Sequence, residues 1–176
     1  MAQAQPTQLV KLICGMISAD ELLFDEAREY LEARLGPCDI VSPTYAFDFT
    51  HYYDDEMGNG LLRRFVGFAN LVDPSVLASA KVFTNEVEAI FSARPGPVCR
   101  PINLDVGYVE MAKLVLASMK NFSHRVYLGQ GVYAEVTLTW HKKGWRAHEW
   151  TFPDYASGRY RDFLDEARLS LVSKLD

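Results

Sequence analysis

The sequence of 176 residues has little of what usually announces a class of protein. It has no excess of positive charge: 18 lysines and arginines stand against 23 aspartates and glutamates, a net charge of −5. With no basic run to offset that balance, broad binding to nucleic acid is not expected. No apolar run approaches the ~20 residues that cross a bilayer. The start "MAQAQPTQ" has no basic segment before an apolar block, so no signal peptide and no membrane partner are expected, and the expected location is cytoplasmic. Cysteine is scarce. Cys14, Cys38 and Cys99 are odd in number, widely separated and without metal-ligand spacing, which reads as buried thiols in a reducing compartment. The chain also lacks a G-x-x-x-x-G-K-[ST] phosphate loop, an alternating twelve-residue calcium loop, internal repeats and low-complexity linkers.

What is present reads as one α/β (α+β) domain over residues 1–176, with 1–8 expected to be a disordered N-terminal segment; 49% of the residues are hydrophobic. "LVKLICGMIS" (9–18) suits a buried strand. Ser18 and Glu21 form a capping-box pattern before a helix carried by Leu23, Ala27, Tyr30 and Leu31, which Gly36-Pro37 ends. "DIVSPTYAFDFTHYY" alternates, with Val41, Tyr45, Phe47 and Phe49 on one face and Ser42, Thr44, Asp48, Thr50 and Tyr52 on the other. "LLRRFVGFANLV" (61–72) is its expected partner. Asp73-Pro74 starts a second helix with Leu77, Ala80, Val87, Ile90 and Phe91 inward. After a strand in "CRPINLDVGY", Asp105 is expected to cap a third helix in which Ala112, Val115, Leu116 and Met119 share a face. A three-stranded antiparallel meander (122–150) and a C-terminal helix with Tyr160, Phe163, Leu164, Ala167 and Leu171 complete the chain. The first ~105 residues thus read as a ferredoxin-like β-α-β-β-α-β core.

In the meander, a three-residue turn at Gly129-Gln130-Gly131 keeps the faces consistent, pairing Val126 with Ala134, Leu128 with Val132, Tyr127 with Tyr133 and Arg125 with Glu135. One polar face then carries Arg125, Tyr127, Tyr133, Glu135 and Thr137, joined by Arg146 and His148. "FDFT" (47–50) and "AEVTL" (134–138) share one design, a carboxylate and a threonine on the same face of a strand. Facing one cleft, Asp48 and Glu135 would be paired acids for general acid–base chemistry or for Mg²⁺ or another divalent ion, with Thr50 and Thr137 orienting them. The consecutive acids Asp54, Asp55 and Glu56 read as a solvated rim. On the second helix, Lys81, Thr84, Asn85 and Glu88 form a polar stripe that reads first as a solvated face and second as a ligand-facing one. Lys81, Arg100 and Arg125 could hold phosphate, with Asn85 beside them and Tyr52 and Tyr133 shaping the pocket.

Through "FDFTHYYDDEMG", "KVFTNEVE", "RPINLDVGY", "HRVYLGQGVYAEVTL" and "WTFPDY", the chain resembles, nearly end to end, an uncharacterised bacterial family known as domain of unknown function 4416. The family pattern has Pro in the turn where this chain has Val106. The resemblance implies a cytosolic bacterial protein of about this length and supplies no activity. Some relatives are labelled GTP-binding, a label that the missing phosphate loop does not support in its usual sense. The expectation is a cleft that binds, and hydrolyses or transfers, a phosphorylated or nucleotide-like small molecule; the alternative is a non-catalytic nucleotide- or partner-binding module.

Overall fold

The computed structural model describes residues 1, 3–142 and 144–175. Its strands are β1 (Val10–Ser18), β2 (Cys38–Val41), β3 (Tyr45–Ala46), β4 (Leu62–Val72), β5 (Asn103–Val109), β6 (Lys113–Ser118), β7 (Val126–Gly129), β8 (Val132–His141) and β9 (Gly144–Ala147). The helices are α1 (Leu22–Leu35), α2 (Asp54–Met57), α3 (Leu77–Ser92), α4 (Pro153–Ala156) and α5 (Arg161–Leu175). The strands form one antiparallel sheet in the order β2-β4-β1-β5-β6-β8-β7, with β3 beside β4 and β9 beside β8. Among the described residues, no helix is long and apolar enough to cross a membrane.

Alternation along β1 sorts the core into two layers, because successive side chains point to opposite faces of the sheet. Leu12, Cys14 and Met16 pack against Phe24, Ala27 and Leu31 of α1 and Val87 and Phe91 of α3. On the opposite face, Ile13 joins Phe65, Val109, Leu114 and Leu138 beneath Phe163, Leu164, Ala167 and Leu171 of α5. Asp73 starts the second helical segment as expected, its carboxylate accepting from the Ser75 N–H at 2.8 Å.

Several expectations fail for physical reasons. The third helix is the strand β6: Leu114, Val115, Leu116 and Ala117 are all buried, and a run covered on both faces loses its period of two and mimics helical spacing. Asp105 and Val106 therefore lie within β5, the one capping no helix and the other in no turn. The alternating segment stops pairing at Ala46, because Phe47, Met57 and Leu61 pack on Ile17 and draw residues 47–61 over the end of the sheet. Asp54, Asp55 and Glu56 there form the first turn of α2. The capping box is not made: Ser18 Oγ donates to the Pro101 carbonyl, and Asp20 accepts from Leu22 N–H instead. The β7–β8 hairpin keeps the pairs Val126–Ala134 and Tyr127–Tyr133, then bulges, so that Gly129 rather than Leu128 faces Val132. Its turn is Gln130-Gly131, both at positive φ. Strands β7 and β9 both lie along the edge of β8 opposite β6, so the expected three-stranded meander, with β8 between its neighbours in the chain, is not formed. Cys14 is buried, but Cys99 is exposed.

Candidate functional site

The sheet forks. Strand β5 pairs with β1 along its whole length, from Asn103–Ile17 to Val109–Lys11, but with β6 only through Gly107, Tyr108 and Val109. Strand β6 continues along β8 to the pair Ser118–Tyr133. The first half of β5 and the last residues of β6 therefore diverge and leave a gap in the sheet. Gly107 sits at the crotch: a Cβ there would lie 2.4 Å from the Val115 carbonyl oxygen.

Side chains of α3 fill the place of the missing strand. Lys81 Nζ donates to the Leu104 carbonyl at 2.8 Å, and Glu88 accepts from the Leu104 N–H at 2.7 Å. The predicted polar stripe thus faces the fork and is not a solvated face: Lys81 is 5% exposed and Thr84 is fully buried. Burial, opposed in part by Lys81 and the Leu104 N–H, pushes the Glu88 carboxyl above the usual range. Among the described residues, no carboxylate oxygen lies within 4.0 Å of Lys81 Nζ.

The fork opens into a cleft of about 1040 Å³. Its cations are Arg63, Lys81, Arg100, Lys120 and Arg125; its acids are Glu88, Asp105, Glu135 and Asp154; Phe47, Phe49, Tyr52, Tyr53, Phe152 and Tyr155 give it apolar walls. On the β6–β8 side, Glu135 is 2% exposed and accepts from Arg125 Nε at 2.8 Å and Thr137 Oγ1 at 3.2 Å, with His124 Nε2 at 3.1 Å. Arg125 Nη1 reaches Ser118 Oγ at 2.9 Å, which ties the turn after β6 to β8. On the β5 side, Arg100 contacts Asn103 and Glu88. At the mouth, Lys120 Nζ donates to the Tyr52 hydroxyl at 2.7 Å, so the 47–61 segment reaches across to the far bank.

The deepest wall is built around Arg63, 2% exposed, which Gly15 accommodates by having no side chain. The guanidinium lies against the rings of Phe65, Tyr155, Phe47 and Tyr160. Its Nη2 donates to the Tyr155 hydroxyl at 2.8 Å, and its Nη1 is 3.3 Å from Asp105 Oδ2 and 3.8 Å from Asp154 Oδ2. Burial pulls the Arg63 pKa down, but Tyr155, Asp105 and Asp154 more than offset it and raise it overall. Burial, opposed in part by Arg63, pushes the Asp154 carboxyl up; burial also pushes the Tyr53 hydroxyl up to about 12.

Of the residues singled out in the sequence, Thr50, Tyr52, Lys81, Asn85, Arg100, Arg125 and Glu135 meet at this cleft. Asp48, Tyr133 and Thr137 do not line it. Asp48 is paired with Arg159 Nη1 at 2.7 Å and shares no partner with Glu135. Tyr133 packs on Tyr127, and Thr137 acts through its bond to Glu135. Sequence reasoning passed over Arg63, gave Asp105 a helix-capping role and did not count Asp154 among the site residues. Parity gave no signal for Arg63, because both faces of β4 are covered, Phe65 lying in one apolar layer and Val66 and Phe68 in the other. Among the described residues, no group of three or more His, Cys, Asp or Glu is placed to hold a metal ion.

No curated protein and no solved structure matches the chain. Residues 8–170 match the profile of the family described as Domain of unknown function (DUF4416), and the chain belongs to that family.

Proposed function

We propose that the protein binds a phosphorylated or nucleotide-like small molecule in the fork between β5 and β6. The observation that carries this reading is Lys81. A buried ammonium without a paired carboxylate is costly, and a bound anion offsets that cost. Lys81 has spent one donor on the Leu104 carbonyl, and the cleft beside it carries Arg125, Lys120 and Arg100. The volume, near the upper end of ordinary ligand pockets at ~1,000 Å³, suits a nucleotide-sized guest, and the aromatic walls suit a base or the apolar face of a sugar.

Insertion of a partner's strand into the fork is the less favoured reading, because Lys81 and Glu88 already occupy the Leu104 backbone groups that such a strand would need. Binding is also better supported than turnover by a pair of Asp48 and Glu135, since only Glu135 lines the cleft. The strand order β2-β4-β1-β5, with α1 and α3 on one face, supports reading this half as a ferredoxin-like unit to which β6 to β9 are added. A cytoplasmic site of action belongs to the same reading.

The test is the melting temperature of wild type and Lys81→Met against inorganic phosphate, phosphate monoesters, nucleotides, sulfate and neutral sugars at fixed ionic strength. A ligand at a hundred times its Kd adds ~2.7 kcal/mol, a rise of several degrees. Phosphate compounds should raise the wild-type melting temperature and leave that of the variant unmoved. No shift with any phosphate, or equal shifts in both proteins, would overturn the reading.

A further inference from the structure

Resting on the phosphate reading, we propose that the ligand is a phosphorylated polyol, such as a sugar phosphate or a ribonucleotide, whose hydroxyls donate to Asp105 and Asp154. Both carboxylates line the cleft, and both present Oδ2 to one nitrogen of Arg63. Asp105 Oδ2 also accepts from Asn103 Nδ2 at 2.9 Å, which fixes the carboxylate. Among the described residues, no side chain donates to Oδ1 of either aspartate. Asp154 is only 4% exposed and is also steadied by the Tyr155 and Asp154 N–H groups, so both carboxylates are held in place with an oxygen left to a ligand in the cleft. A fixed acceptor on the wall of a cleft favours a ligand that brings a donor.

The chemistry of the donor follows from Arg63. That guanidinium offsets one of the two carboxylate charges, and a ligand whose own charge is an anionic phosphate meets the remaining acceptors best with neutral hydroxyls. The placement follows from β5. Lys81 is anchored on the Leu104 carbonyl and Asp105 is the next residue, so anion holder and hydroxyl acceptor are fixed to neighbouring positions of one strand. A single compact molecule with its phosphate and its hydroxyls a few bonds apart meets both.

The experiment is calorimetric titration of wild type, Asp105→Asn and Asp154→Asn with inorganic phosphate, methyl phosphate, glycerol 3-phosphate and ribose 5-phosphate. Wild type should bind the hydroxylated esters at least about tenfold more tightly than methyl phosphate, the least that one hydrogen bond to a charged acceptor contributes. Each variant should lose that preference and keep its affinity for methyl phosphate, which also reports that the cleft is folded. Equal affinity of wild type for methyl phosphate and for the polyol phosphates would overturn the inference and leave the phosphate reading standing. Failure of every phosphate to bind wild type would overturn both. The wild-type ranking decides the matter even where a variant does not fold.

Discussion

Lys81 and Leu104 are joined by a 2.8 Å bond from an ammonium to a backbone carbonyl, made at the point where β6 has turned away from β5. A helix side chain here takes the part of a strand. Glu88 completes the substitution by accepting the Leu104 N–H. The outcome is an open sheet whose unpaired backbone is satisfied and whose gap is lined by charge.

The fork depends on Gly107. With a Cβ placed 2.4 Å from the Val115 carbonyl oxygen, β6 cannot hold its present path. Gly107→Ala should lower the unfolding free energy in urea by about 1–3 kcal/mol, the usual cost of forced overpacking. A neutral result would mean that the strands separate without strain and that the crotch is not fixed by this residue.

The buried pair of Arg125 and Glu135 should be non-additive. Arg125→Met leaves the Glu135 carboxylate, 2% exposed, with only His124 and Thr137, and should cost about 3 kcal/mol or more. Adding Glu135→Gln to that variant should restore most of the loss. Denaturation of the two single variants and the double variant measures the coupling.

Asp154 sets an acid-side pH dependence. Its folded pKa is raised by burial, so the native state holds a proton that the unfolded chain releases above its ordinary value of 3.8. From there up to the raised folded value the native state binds more protons, and this group's contribution to stability falls as pH rises. Asp154→Asn should flatten that part of the stability profile, read by urea midpoints at a series of pH values. An unchanged slope would remove Asp154 as its source.

The contact across the mouth is a different matter. Tyr52 and Lys120 are exposed, and an exposed pair of this kind contributes little, so Lys120→Ala should change stability by less than ~0.5 kcal/mol. The same variant should weaken binding of phosphate esters, because it removes a cation from the cleft. Unaltered affinity would place the anion deeper, at Lys81 and Arg125.

The sequence revealed the fold where burial falls on one side. The α5 residues Phe163, Leu164, Ala167 and Leu171, the α3 residues Leu77, Ala80, Val87 and Phe91, and the Asp73 cap all lie as their spacing suggested, whereas Ile90, expected inward with the α3 residues, is exposed. It misled where both faces are covered, as in β6, whose "LVLA" can be read as either kind of element. Lys81 and Asn85 could be picked out because they share a helix stripe. The grouping of Arg63 with Asp105 and Asp154 could not, since those residues lie 42 apart and further in the chain and meet only through sheet pairing and the α4 turn. The acid-x-threonine repeat pointed to both Asp48 and Glu135, but only Glu135 lines the cleft, because "FDFT" leaves the sheet before the aspartate.

The most direct measurement is a ¹H–¹⁵N amide spectrum of the protein titrated with a phosphate monoester to millimolar concentration. The largest shifts should fall on Leu104, Asp105, Ala117, Ser118 and Arg125, the two banks of the fork, and should vanish in Lys81→Met. An undisturbed spectrum, or shifts gathered away from β5 and β6, would contradict the assignment of the fork as an anion-binding cleft.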